Sequence, residues 1–153
     1  MEKTIEINLQ TAINLYPSAS GDFKTLLENE FGKDALTQKI TDRIKTFEDA
    51  CIYLGLSTGI FLPGDTKDEI AYKKLKVIAT ALNEGWRPDW TDESQYKYYP
   101  WFDLSSGSGL AYNGCDHLCS GSLVGSRLCF KSRDLAIYAG KQFTDIYADF
   151  MTL

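Results

Sequence analysis

The residues predict a single α+β domain. Amphipathic helices fill the first half, followed by a small antiparallel sheet of about three strands covered by a long C-terminal helix. Three observations carry this expectation. Apolar residues recur at helical spacing between about 8 and 85. Strand formers and glycine-bearing turns take over from about 86. A second helical stripe runs from Ser132 toward the end. At 153 residues the length suits one domain, 1–153, with a helical part at about 8–85 and an aromatic-rich meander plus helix at about 86–153.

Taken in order, an Ile5/Ile7 alternation suggests a short strand, and Asn8 can cap a helix carrying Leu9, Ala12, Ile13 and Tyr16 on one face until Pro17 stops it. Ser18 or Ser20 opens a second helix with Phe23, Leu26, Leu27 and Phe31, closed by Gly32; the two read as a hairpin. Residues 33–45 keep only a loose four-residue spacing and stay unassigned. Thr46 caps a helix with Phe47, Ala50, Cys51 and Leu54 inward, ended by Gly55, and Cys51 is expected in the core. After a Pro63-Gly64 turn, Thr66 and Glu69 form a capping box. The helix behind it turns Ile70, Ala71, Leu75, Ile78 and Leu82 inward and Lys67, Lys73, Lys74 and Lys76 mostly outward; Gly85 ends it and swings Trp86 back onto the last turn.

Strands are expected at Tyr96–Phe102, where Pro100 implies an edge or a bulge, at Gly109–Tyr112, and at Ser126–Phe130. Gly107-Ser108-Gly109, Gly121-Ser122 and Gly125-Ser126 lack the lysine and the strand–loop–helix setting of a phosphate loop and read as turns. Ser132 then caps a helix with Leu135, Tyr138, Ala139, Phe143, Ile146, Tyr147 and Phe150 on one side, and Asp134, Lys141, Asp145 and Asp149 on the other.

Composition narrows function. A net charge of −5 argues against a duplex-DNA binder, whose affinity comes from clustered Lys and Arg. Met1-Glu2-Lys3-Thr4-Ile5-Glu6 has no basic segment leading into an apolar core, and no apolar run reaches membrane-spanning length, so a soluble cytoplasmic protein with no membrane partner is expected. Without export, Cys51, Cys115, Cys119 and Cys129 are expected as thiols.

Three stretches have a recognisable wording: Ile40-Thr41-Asp42-Arg43-Ile44-Lys45-Thr46-Phe47-Glu48-Asp49-Ala50-Cys51; Ala81-Leu82-Asn83-Glu84-Gly85-Trp86 with Pro88-Asp89-Trp90; and Gly125-Ser126-Arg127-Leu128-Cys129-Phe130-Lys131-Ser132 running into Tyr138-Ala139-Gly140-Lys141-Gln142-Phe143. Together they resemble a family of small uncharacterised proteins encoded by gut Bacteroidales, their prophages and their phages. The resemblance covers most of the chain and implies an origin, with the host cytoplasm or the virion as its setting; it implies no activity.

No catalytic signature stands out, and no cofactor is implied. Cys115-Asp116-His117-Leu118-Cys119 offers metal-ligand types, but a lone pattern of this kind supplies three ligands where zinc takes four, unless Cys129 joins. His117 is the sole histidine, so a Cys–His nucleophile pair would have to use it. Carboxylate pairs such as Asp89/Asp92/Glu93 fit loop solubility and Asp65/Asp68/Glu69 fit helix capping.

The densest feature is Trp86–Phe102, which holds all three tryptophans. A strand with aromatics on both faces must have its second face covered by residues 86–95, or expose it. Exposed, the face would comprise Trp86, Trp90, Tyr96, Tyr98, Tyr99, Trp101 and Phe102, edged by Lys97, Arg127 and Lys131. Trp, Tyr and Arg dominate protein-binding hot spots. The leading expectation is therefore a non-enzymatic protein-interaction module of phage or mobile-element origin, with a phage or host protein as partner. A single-stranded nucleic-acid accessory protein, stacking bases on the same rings, is one alternative. A small metal-binding protein or enzyme at Cys115, His117 and Cys119 is the other.

Overall fold

A computed structural model of the chain describes residues 5–105, 107 and 109–153; Met1 to Thr4 and the Ser108 of the expected Gly107-Ser108-Gly109 turn lie outside the described residues. The chain divides into two compact units, Met1–Asp42 and Arg43–Leu153. The boundary falls well before residue 85, so the later helices of the first half belong with the sheet.

In the first unit Asn8 accepts the Thr11 N–H at 2.8 Å and opens α1 (Leu9–Leu15). Pro17 turns the chain out through a 3-10 turn, Tyr16–Ser18. After α2 (Gly21–Phe31), Gly32 takes a positive φ that favours glycine, and α3 (Lys33–Thr37) follows at once. The three helices pack on one another around Ala12, Tyr16, Leu27 and Leu36, with Ile7, Ile13 and Phe31 against them. The expected apolar face of α2 is only partly buried: Leu27 is covered, whereas Leu26 is 58% and Phe23 43% exposed. Two short helices can cover one row of an 11-residue helix, not a whole face. Ile5 and Ile7 form no strand. The unassigned stretch becomes α3 and a single turn, α4 (Ile40–Arg43).

The second unit opens on a reciprocal cap. The Thr46 hydroxyl accepts from Asp49 N–H at 3.1 Å, while the Asp49 carboxylate accepts from Thr46 and Lys45, each at 2.9 Å. This starts α5 (Phe47–Leu54), which buries Phe47, Ala50 and Cys51 and ends at the left-handed Gly55. Glu69 accepts the Thr66 N–H at 2.7 Å to start α6 (Lys67–Leu82), whose Ala71, Leu75, Ile78 and Leu82 are buried as expected. Its lysines are less free than expected. Lys73 pairs with Asp65 at 2.6 Å, and Lys74 and Lys76 lie over the rings of Phe47 and Tyr72.

Among the described residues the sheet has two strands, not three: β1 (Lys97–Asp103) and β2 (Ala111–Leu118), antiparallel, with a bulge between Trp101 and Phe102. Ser126–Phe130 contributes a single bridge, in which Tyr98 and Phe130 exchange hydrogen bonds of 3.0 and 2.7 Å. Pro100 explains why it goes no further. The N–H and C=O of Tyr98 point toward Phe130, so those of the residue two along point the same way, and Pro100 has no N–H to give to a third strand. For the same reason proline is harmless to the β1–β2 ladder.

Ser132 accepts the Leu135 N–H at 3.3 Å and opens α7 (Arg133–Gln142). The expected long helix is broken at Phe143 (φ −115°, ψ 29°) and resumes as α8 (Thr144–Met151). The Thr144 hydroxyl donates to the Gly140 carbonyl at 2.7 Å, a back-bond that bends helices. The break divides the stripe between two tasks. Helix α7 covers the sheet, while α8 packs on α6 and brings buried Tyr147 to 4.7 Å from the Phe102 ring. Among the described residues, no helix is long and apolar enough to cross a membrane.

Candidate functional site

The aromatic stretch does not form one continuous face. Tyr99 and Phe102 are core residues, 4% and 6% exposed, and leave the candidate surface. Phe102 is taken up by Tyr112 and Tyr147, whose ring centroids lie 6.1 and 4.7 Å away. Tyr96 is 45% exposed and lies 4.2 Å from the His117 ring, with half-buried Tyr98 at 5.5 Å. Trp101 is 48% exposed and falls in the opposite alternation of β1.

Residues 86–95 do cover the second strand face in part, and the cover is built on a buried cation. Lys97, expected at the edge of an exposed face, is 1% exposed. Its Nζ donates to the Asp92 carbonyl at 2.9 Å and sits 5.4 Å from the Trp90 ring, two partners that replace part of its lost hydration. Trp90, held there, donates its indole N–H to the Ser126 hydroxyl at 2.7 Å.

Beyond Trp90 lies a cleft of about 710 Å³ between the segment after α6 and the segment before the Phe130 bridge, lined by Thr80, Asn83, Gly85, Trp86, Arg87, Pro88, Ser126 and Arg127. Its first wall is made by a reversal at the end of α6. Glu84 (φ +49°) and Gly85 (φ +84°) both take left-handed conformations, and the Trp86 N–H returns to the Asn83 carbonyl at 2.9 Å. Glu84 is the only non-glycine with positive φ among the described residues, a conformation uncommon enough to need local support. It has that support in Lys131, whose ammonium meets the Glu84 carboxylate at 2.8 Å. Asn83 ties the walls together, donating to the Cys129 carbonyl at 2.9 Å and accepting from the Lys131 N–H at 3.0 Å. With the Trp90–Ser126 bond, three contacts between residues 36 to 48 apart in sequence hold the cleft open at fixed width.

Of the expected binding residues, the cleft therefore gathers Trp86 and Arg127 directly, with Trp90 and Lys131 as braces. Arg87, Pro88, Ser126 and Thr80 were not anticipated. The signal for Arg87 lay in its position beside Trp86, just past the glycine that reverses the chain.

The cysteine–histidine cluster lies on β2 and just beyond it, not in a loop. An extended strand sets Cys115 and His117 about 6.8 Å apart at the backbone, and the His117 ring lies tilted at 35° against that of Tyr96. Among the described residues, no three His, Cys, Asp or Glu side chains converge as metal ligands. All four cysteines are free. Burial pushes the Cys129 thiol up to about 11 and also raises Cys51 and Cys115, which makes poor nucleophiles of them. The carboxylates of Asp89, Asp92 and Asp103 are each spent on the hydroxyl and N–H two residues on, in Thr91, Ser94 and Ser105. Those bonds hold all three below the usual carboxylate range, the opposite of what a general acid needs.

Comparison with known protein families, with curated proteins and with solved structures finds no match to this chain.

Proposed function

We propose that the protein is a non-enzymatic interaction module that engages a phage or host protein through the Trp86–Arg127 cleft. The observation that carries this reading is the cleft itself: a tryptophan, a proline and two arginines lining walls braced before any partner arrives. Pre-organisation of this kind lowers the ordering cost of binding, and Trp and Arg are the side chains from which hot spots are most often made. The test is capture by tagged protein from phage-infected or prophage-induced Bacteroidales cells. One protein should be recovered by the native chain and by Trp101→Ala, and lost with Trp86→Ala and Arg127→Ala. Capture that ignores the cleft variants, or no specific capture at all, would count against the reading.

A second reading rests on the exposed rings of Tyr96 and His117 on the sheet. They would accept an unpaired base, as in a single-stranded nucleic-acid accessory protein. Oligo-dT and mixed RNA would then cause salt-sensitive shifts that Tyr96→Ala removes, and unchanged spectra would exclude it.

A further inference from the structure

We infer that the group the cleft recognises is a phosphate monoester, carried on an aromatic side chain of the partner. The inference rests on the reading of the cleft as the partner-binding face and adds the chemistry of what enters it. Arg87 and Arg127 reach the cleft from its two opposing walls, and neither takes part in an ion pair among the described residues. Of the nearby opposite charges, Glu84 is paired with Lys131 at 2.8 Å, while Asp89 stays ionised, its carboxylate bonded to Thr91 and acted on by the Lys97 charge. The cleft thus holds two uncompensated cations in a chain whose net charge is −5. At physiological salt the screening length is about 8 Å, so this local pair, not the overall charge, decides what enters.

Two guanidiniums suit a dianion better than a carboxylate, which one bidentate arginine satisfies. A phosphate monoester carries about −1.5 to −2 at neutral pH and has three acceptor oxygens. The Ser126 hydroxyl, which accepts from Trp90, keeps its own proton to donate. Trp86 and Pro88 supply an apolar wall beside the cations, and the cleft volume of about 710 Å³ holds an aromatic ring together with a phosphoryl group.

The test uses the full chain carrying Trp101→Phe, so that fluorescence reports Trp86 and Trp90, titrated with phenyl phosphate, phenylacetate, inorganic phosphate and adenosine monophosphate. Phenyl phosphate should bind saturably and about tenfold more tightly than phenylacetate or inorganic phosphate. Its affinity should drop severalfold from pH 7.5 to 5, as the monoester loses its second charge near pH 6. Arg87→Gln and Arg127→Gln, both at exposed positions, should each weaken it about tenfold while melting like the parent. Equal binding of phenylacetate, indifference to pH, unaffected arginine variants, or no binding at about 10 mM would overturn the inference. Clearly tighter binding of the nucleotide would move the site to a free ligand and overturn it as well. If capture of a partner is lost with Trp86→Ala and Arg127→Ala yet persists in Arg87→Gln and Arg127→Gln, the module reading stands and the phosphoryl assignment falls. Phenyl phosphate binding without any captured partner overturns the assignment to a partner's side chain.

Discussion

At the scale of single residues, Lys97 and Cys129 are where burial and chemistry meet. Lys97 has a carbonyl and an indole face but, among the described residues, no carboxylate within bonding distance, so its charge and its packing can be separated. Lys97→Met, which keeps most of the stem, should change stability by less than about 1.5 kcal/mol. Lys97→Ala, which leaves a cavity, should cost about 3 kcal/mol. Urea unfolding checks this, and a methionine variant as damaged as the alanine one would show that the cation itself is what the fold needs. The Cys129 thiol, raised by burial to about 11 from 9.0, binds its proton more tightly in the folded protein than in the unfolded one. Its contribution is therefore fully present below pH 9 and is lost as pH rises toward 11, amounting to roughly 3 kcal/mol at most. A stability–pH curve that is less steep over that window in Cys129→Ala is the expected result. In the native chain at pH 8, iodoacetamide should modify half-buried Cys119 and, more slowly, half-buried Cys115, whose thiol burial raises, and spare Cys51 and Cys129 until unfolding.

At the scale of elements, the closest approach is between α7 and the sheet. A Cβ at Gly140 would lie 2.6 Å from the Tyr112 ring and 2.7 Å from Pro100. Alanine would favour the helix by up to about 1 kcal/mol on propensity alone, yet Gly140→Ala should destabilise by about 1–3 kcal/mol, because neither the ring nor the proline can retreat from a packed layer. Thermal unfolding decides the sign. That close approach was not legible in the sequence, where Gly140 sits inside an otherwise regular helical stripe. Caps were legible, since Asn8, Thr46 and Ser132 accept from N–H groups, and Glu69 accepts the Thr66 N–H, only three residues away. The third strand and the unbroken last helix failed for the opposite reason. Whether Ser126–Phe130 pairs beyond one bridge depends on which way Pro100 faces, and whether Thr144 bonds backward depends on what α8 packs against. Half of the candidate site followed the same rule: aromatic density pointed to Trp86, but the partition of the other rings between core and surface is a tertiary result.

For the whole molecule, the two units differ in what holds them. The first is a unit of about 40 residues, near the lower limit for a self-sufficient core, built on Ala12, Tyr16, Leu27 and Leu36, with two large apolar side chains of α2 left in water. The second buries a sheet under α7 and packs α6 against both α5 and α8. Hydrogen exchange should therefore release amides of α1–α3 well before those of α6 and α7, and equal protection across the chain would refute this difference in local stability. The braces of the cleft carry a further consequence for how the protein is made. Asn83 and Trp90 leave the ribosome with nothing to hold, because their partners Ser126, Cys129 and Lys131 are synthesised 36 to 48 residues later. A nascent or truncated chain that stops before Ser126 has one wall of the cleft and no width. On the function proposed above, the ability to bind would report that synthesis has passed that point, and an unfinished chain would not compete with finished copies for whatever the cleft takes.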